Sequence, residues 1–329
     1  MKNVILTDFL PCKDWNFAEL LSKYSGHTFE VMGCKANGEI SKPRRLMLYF
    51  SFPWKVFRQR RSLQNIVAWQ QFYGLIFAFY CRLFHVRKTA RLTVLTFIYK
   101  PKRRFAGKVY EWFMKSITHS IYIDKLVVFS KNEIQYYSNL LGIPENKLAF
   151  IPYYQEKIPL QTDSMSESGG YILSTGGSNR DYEFLYHALN GTSYKVEIIC
   201  HGYQLPGQSD NISVRHNIFT YEMRNYMRNC YCVVIPLKDL NISSGQLVLL
   251  QAMMLKKPII ITKSRGVSDY IVDGYNGLMI ENTKEQLLNA LDKLYRDSNL
   301  YDRLVQNGYT HVNEKFGIEA FAKNISELL

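Results

Sequence analysis

Short apolar runs of four to six residues alternate along the chain with longer amphipathic segments. This is the pattern of parallel strands covered by helices. The first set of predicted strands is Val4 to Leu6, Met47 to Phe50, Leu92 to Ile98 and Leu126 to Phe129. A helix over Trp69 to Phe84 falls between the second and third. Lys131 to Leu141 reads as a helix, with Ser130 as its N-cap and Gly142 then Pro144 closing it. A second set begins at Tyr171 to Leu173 and continues through Val196 to Cys200, Cys232 to Ile235 and Pro258 to Ile261. Its predicted helices are Tyr182 to Leu189, Tyr221 to Asn229, Gly245 to Leu255 and Lys284 to Tyr295.

Between the two sets the hydrophobic pattern lapses, and Gln161 to Gly169 reads as a linker. A length of 329 residues exceeds what one core usually supports. The expected organisation is therefore α/β: two Rossmann-like, doubly wound domains facing across a cleft, residues 1–160 and 161–314. Residues 315–329 form a terminal helix that could return to the N-terminal domain. Ligands of such folds bind where strands turn into helices at the carboxyl ends of the sheets.

Charge divides the halves. Residues 1–165 hold 25 Lys and Arg against 11 Asp and Glu, whereas residues 166–329 hold 16 against 17. A basic half calls for an anionic partner or a solvated surface. Arg58, Arg60, Arg61, Arg87, Lys88, Arg91 and Lys100 to Arg104 interleave with Trp54, Phe57, Trp69, Phe72, Tyr73 and Phe84. That mixture suits an anionic membrane surface. Charge alone suggests nucleic acid, but no nucleic-acid motif accompanies it.

Phe72 to Cys81 is too short to span a bilayer and reads as a core or interfacial helix. Met1 to Leu6 is too short for a signal segment, so a cytoplasmic location is expected. The six cysteines have neither the Cys-x-x-Cys pairing nor the His spacing of a zinc site. They read as small buried hydrophobes, in keeping with a reducing compartment.

Three turns of the second half carry chemistry. In Ser174 to Tyr182, the paired Gly176 and Gly177 let the backbone approach a ligand, and Arg180 can bond phosphate oxygens. In Ser243 to Thr262, Ser243 and Ser244 read as N-caps of a helix whose free N–H groups form an anion site. Gln251 interrupts the apolar face of that helix roughly 10 Å along its axis from Ser244, within reach of sugar hydroxyls. Gly266 to Ile280 reads locally as a hairpin-like connection, with turns at Asp273-Gly274 and Asn276-Gly277.

Taken in order, a capped helix ending in Ala-Met, then Lys-Pro, a buried strand and Gly-Val-x-Asp-Tyr-Ile-x-Asp-Gly-x-Asn-Gly resemble the donor-binding half of group 1 GT-B glycosyltransferases. The resemblance runs from about residue 125 to the C-terminus. It implies transfer of a sugar from a nucleotide diphosphate sugar to a saccharide acceptor, by retention and without a metal. By the same resemblance Arg180 meets the donor diphosphate, Ser243, Ser244, Gly245 and Gln246 face the phosphates, Gln251 contacts the ribose, and Phe219 to Glu222 lie beside the base. His201 and Gly202 would line the same cleft.

Two departures stand out. The family usually has Glu, seven residues, then Glu, and here those positions are Ser243 and Gln251. Its usual His after a first-domain strand is also missing, since Thr96 to Lys100 reads TFIYK. Catalysis would then rest on leaving-group stabilisation by Arg180 and the helix start, with the donor phosphate assisting the acceptor hydroxyl. If the reaction inverts, Asp8 or Asp14 is the base candidate, although Asp14 could simply cap the helix Phe17 to Leu21. The expected setting is cell-surface polysaccharide synthesis at the inner face of a membrane, with a lipid-linked saccharide as acceptor. The alternatives are a silent nucleotide-sugar-binding partner and a nucleotide-sugar epimerase of the same fold.

Overall fold

The computed structural model describes residues 1–12, 15–34, 40–102, 105–158, 170–218 and 220–329. The expected linker, Gln161 to Gly169, lies outside them, as do Asp14 and Phe219. The described chain divides into two compact units, 1–152 with 318–329 and 153–317.

Unit 1 runs β1 (Lys2–Thr7), α1 (Phe17–Ser25), β2 (Phe29–Gly33), α2 (Lys42–Arg58), β3 (Leu63–Ala68), α3 (Gln71–Leu83), β4 (Arg91–Val94), α4 (Phe105–Thr118), β5 (Lys125–Val128), α5 (Lys131–Leu141) and β6 (Leu148–Phe150). Its sheet is parallel throughout, in the order β2-β1-β3-β4-β5-β6. Such a sheet needs cover on both faces, so its central strands are apolar almost end to end. A buried polar pair at the centre is hydrogen-bonded: Asn65 Nδ2 donates to Asn3 Oδ1 at 2.9 Å, and Asn3 Nδ2 donates to Thr28 O at 3.1 Å. Helix α3, which carries the uninterrupted apolar run Phe72 to Cys81, lies against β3 and β4. Gly74 makes this possible, because a Cβ there would sit 2.8 Å from both Ala68 and Val94. Helix α5 begins and ends as expected: Ser130 Oγ accepts from the N–H of Asn132, and Gly142 closes it at φ +71°.

Two expectations fail in this unit. Met47 to Phe50 is not a strand but part of α2, which starts with Pro43 in its first turn and even contains Pro53. Seventeen residues without glycine favour a helix over a four-residue apolar run. The strands actually flanking it, β2 and β3, escaped notice because β2 is a half-polar edge strand (FEVMG) and β3 carries Gln64 and Asn65. Among the cysteines, Cys12 is exposed and Cys34 half-buried, so only Cys81, Cys200, Cys230 and Cys232 behave as buried hydrophobes.

Unit 2 runs β7 (Ile172–Thr175), α6 (Tyr182–Leu189), β8 (Val196–Ile199), β9 (Ile212–Arg215), α7 (Thr220–Asn229), β10 (Cys232–Ile235), α8 (Gln246–Met254), β11 (Ile259–Thr262), β12 (Leu278–Ile280), α9 (Lys284–Arg296) and α10 (Ser298–Lys315). Its parallel sheet has the order β12-β11-β10-β7-β8-β9. The chain leaves β7 in one direction through β8 and β9, then returns to the other side for β10, β11 and β12. The topological switch point therefore lies between β7 and β10.

The segment 266–280 is not a hairpin between strands, since β12 pairs parallel with β11. Its Asp273 to Gly277 turn closes on itself: the Asn276 side chain accepts from the N–H of Val272 at 2.8 Å and donates to Tyr270 O at 3.1 Å. The last helix, α11 (Ile318–Ser326), belongs to unit 1, where Phe321 packs its ring 5.7 Å from Phe17 of α1.

Candidate anion site at the switch point of unit 2

The switch point gathers the turn after β7 and the start of α8 at the carboxyl edge of one sheet. Arg180 follows β7 and forms an isolated bridge with Leu237, just beyond β10. Its guanidinium folds back over the turn. Nε donates to Thr175 O and Nη1 to Ser178 O, both at 2.9 Å, and Nη1 also reaches Ser244 Oγ at 3.4 Å. A Cβ on Gly176 would lie 2.6 Å from Nη2, and Gly176 has φ +125°. Only glycine lets the guanidinium lie against the turn in this way. Gly177 beside it faces open space.

All three groups that Arg180 bonds are neutral, and among the described residues no carboxylate pairs with it. Burial draws its pKa below the ordinary guanidinium value. A desolvated cation bonded only to carbonyls and a hydroxyl is an incomplete electrostatic arrangement, which an anion would complete.

Helix α8 begins differently from the expectation. Its N-cap is Gly245 in a left-handed conformation, φ +95°, and neither Ser243 nor Ser244 caps it with a side-chain bond. Gly245 lies close over Ile235, and a Cβ there would meet Ile235 Cγ2 at 3.2 Å. The chain therefore enters the helix in a conformation that favours glycine. The first intrahelical bond is Leu249 N–H to Gly245 O, so the preceding N–H groups have no partner within the helix. Ser244 is freed for the contact with Arg180. Ser243 is buried against Gly266, where a Cβ would lie 2.7 Å from Ser243 Cα.

Gln246 is turned inward, with Nε2 donating to Gly266 O at 3.1 Å, so its side chain anchors the loop and only its backbone faces the helix start. Gln251 is half-buried in α8, and its side-chain amide has no hydrogen bond to the described residues. His201 and Gly202 form the exposed turn after β8, the strand paired with β7, and Gly202 has φ +82°. Glu222 is exposed in the first turn of α7. The contacts thus join Gly176, Arg180 and Ser244 directly. His201, Gly202 and Glu222 follow β8 and β9 of the same sheet, and among the described residues Arg180 and Ser244 make no hydrogen bond to them.

Several positioning residues escaped the reading of the sequence. Asn179, at φ +56°, clamps the turn to the loop after β10: its Oδ1 accepts from Asp239 N–H at 2.7 Å and its Nδ2 donates to Asp239 O at 2.8 Å. Tyr182 OH donates to Gly176 O at 2.6 Å. Asn282 accepts from Thr262 Oγ1 at 2.6 Å and donates to Leu237 O at 2.8 Å. The signals were an Asn able to adopt the left-handed region before Arg180, and a polar cluster at strand ends. Beside the site, a concave surface of about 770 Å³ opens at the ends of β10, β11 and β12, lined by Lys238, Asp239, Lys263, Arg265 and Glu281 among others.

In unit 1 the base candidate Asp8 follows β1, and burial raises its pKa while Arg45 opposes the shift. Asp14 lies outside the described residues, and Asn16 precedes α1 without a side-chain cap.

A parallel α/β unit with an amide-rich helix start and an arginine bonded to neutral groups at its switch point has the chemistry of an anion site. Residues 203–311 match the family of glycosyl transferases group 1. The chain is 23% identical over 206 residues to an uncharacterized glycosyltransferase of Methanocaldococcus jannaschii, covering 60% of this chain and 56% of that protein. It is 24% identical over 172 residues to the alpha-1,3/1,6-mannosyltransferase of Dictyostelium discoideum, covering 50% and 39%. The matched stretch thus spans about half the length of these relatives. Among solved structures it resembles HepE of Anabaena in complex with UDP-glucose, with a TM-score of 0.73, 12% identity and 99% of each chain covered. It also resembles sucrose-phosphate synthase of Thermosynechococcus elongatus, with a TM-score of 0.74, 15% identity and coverage of 100% and 98%. The fold is GT-B, and unit 2 carries the group 1 glycosyl transferase match.

Proposed function

We propose that the protein transfers a sugar from a nucleoside diphosphate sugar to a saccharide acceptor, with the donor diphosphate held by unit 2. The observation that carries this reading is the Arg180 guanidinium, paired only with neutral groups and bonded to Ser244 at the start of α8. The HepE structure contains UDP-glucose, which makes such a donor the natural candidate for this chain.

As the glycosidic bond breaks, negative charge grows on the departing diphosphate. Arg180 and the free N–H groups of Gln246 and its neighbours disperse that charge from fixed positions, so no reorganisation is needed during the step. Gln251 offers an unpaired amide to the ribose hydroxyls. With Ser243 and Gln251 where carboxylates are usual, no side chain of unit 2 serves as base, and the donor phosphate accepts the acceptor proton in a retaining reaction. The positive charge comes from the protein, so turnover is expected to survive chelation of divalent metals.

Unit 1 supplies the acceptor side in this proposal. Its basic, aromatic character suits attachment to the cytoplasmic face of an anionic membrane and a lipid-linked saccharide acceptor in polysaccharide synthesis. Incubation with radiolabelled nucleotide sugars and an acceptor panel tests the reading. Label in a lipid-extractable saccharide supports it. Donor binding without transfer to any acceptor would instead select the silent nucleotide-sugar-binding partner, and epimerisation of donor alone would select the epimerase.

A further inference from the structure

Donor chemistry does not account for one surface of unit 1. Helices α2, α3 and α4 make the connections β2 to β3, β3 to β4 and β4 to β5, all advancing the same way across the sheet. Right-handed crossovers place them on one face. Helix α3 lies in the middle. On one side Trp54 of α2 meets Tyr80 at 5.1 Å and Phe84 at 5.6 Å, and on the other Phe79 of α3 meets Phe113 of α4 at 5.7 Å.

The outer sides of the flanking helices are apolar. On α4, Phe105, Val109 and Trp112 recur at helical spacing and are 81%, 49% and 69% exposed, while Met114 and Ile117 on its inner side are buried. On α2, Leu46, Met47 and Phe50 are exposed as well. Exposed cations flank both stripes: Lys55 and Arg58 on α2, Lys102 and Lys108 at the start of α4. The one acidic residue of α4, Glu111, is paired with Lys115 at 2.7 Å. Of the aromatic residues that the sequence placed at this interface, Phe57 and Tyr73 are in the core.

We propose that α4 inserts Phe105, Val109 and Trp112 into the interfacial layer of an anionic bilayer, with the α2 stripe beside it. This rests on the membrane attachment proposed above and adds its mode. Charge draws the face to anionic headgroups, while the apolar side chains hold it there. A stripe of Trp, Phe and Val bordered by lysines fits the headgroup boundary, where aromatic rings are favoured and cations meet lipid phosphates.

The test uses full-length protein and vesicles of phosphatidylcholine with or without phosphatidylglycerol, carrying brominated acyl chains. The wild type is expected to bind the anionic vesicles and show quenched tryptophan emission. Phe105→Ser/Trp112→Ser is expected to bind about tenfold more weakly, lose most of the quenching and leave a residue of binding that salt abolishes. Lys102→Gln/Lys108→Gln is expected to weaken binding while retaining quenching of the bound fraction. Stabilisation by UDP should be unchanged in both variants, which establishes that they fold. Wild-type affinity and quenching in the double serine variant would overturn insertion but leave attachment by charge standing. No vesicle binding by the wild type would overturn both. A concentration-dependent dimer that the serine substitutions dissociate, without vesicle binding, would assign the surface to a second copy of the chain.

Discussion

Arg180 and Ser244, 64 positions apart in sequence, are joined by a hydrogen bond of 3.4 Å across the switch point of unit 2. One follows β7 and the other precedes α8, so the bond ties the two structures that flank the strand-order reversal. Its other consequence is electrostatic. The guanidinium is held in place by neutral acceptors, which leaves its charge available to an arriving anion.

Gly176 is expected to be intolerant of any side chain. Alanine would place a methyl carbon against Nη2 and strain the backbone at φ +125°. Gly176→Ala should cost on the order of 1 kcal/mol or more in stability and weaken diphosphate binding as Arg180 is displaced. Thermal melts with and without UDP would check both. Gly177, which faces open space, should accept alanine more readily.

Asn179 positions Arg180 without touching a ligand in this account. Asn179→Ala removes both bonds to Asp239 and leaves a residue poorly suited to φ +56°, with an expected loss of about 1–3 kcal/mol. Asn179→Gly removes the same bonds while relieving the backbone. Chemical denaturation should therefore rank glycine as the milder change, and calorimetry should show weakened UDP binding in both.

Gln251 is predicted to matter for the donor and little for the fold, because its side-chain amide makes no hydrogen bond to the described residues. Gln251→Leu should leave the melting temperature of the free protein within a few degrees and weaken nucleoside diphosphate binding by roughly 1–1.5 kcal/mol. Its effect should vanish with inorganic pyrophosphate, which has no ribose. Titration of the two ligands against wild type and variant separates these contributions.

Much of the fold was legible because parallel strands buried on both faces are continuous apolar runs; Cys232–Ile235 and Tyr182–Leu189 have the predicted bounds. Legibility failed where polarity or context intervened. Met47 to Phe50 resembles a strand by composition but sits in a long glycine-free segment, and β3 carries Asn65, whose side chain is satisfied by Asn3 of the neighbouring β1. At the site, Arg180 and the α8 start were visible as residue types in turns. The left-handed Gly245 cap, the inward Gln246 and the Asn179 clamp were not, because each depends on contacts between segments distant in sequence.

Acid should weaken unit 2 through His311. Burial and the nearby Lys315 hold its folded pKa below 6.5, with Glu314 opposing them. Below that value the unfolded chain takes up the proton more readily than the folded one, so His311 contributes a loss of stability as pH falls from 6.5 toward its folded pKa. His311→Gln should flatten this part of a melting-temperature profile measured from neutral to mildly acidic pH.

Calorimetric titration of UDP into wild type and Arg180→Ala tests the central claim most directly. The wild type should bind, and the variant should lose affinity by at least about tenfold, or roughly 1.5–3 kcal/mol, because a charge-assisted contact to the diphosphate is gone. Equal affinity in a variant that melts like the wild type would contradict the account, since the guanidinium would then not face the diphosphate at all.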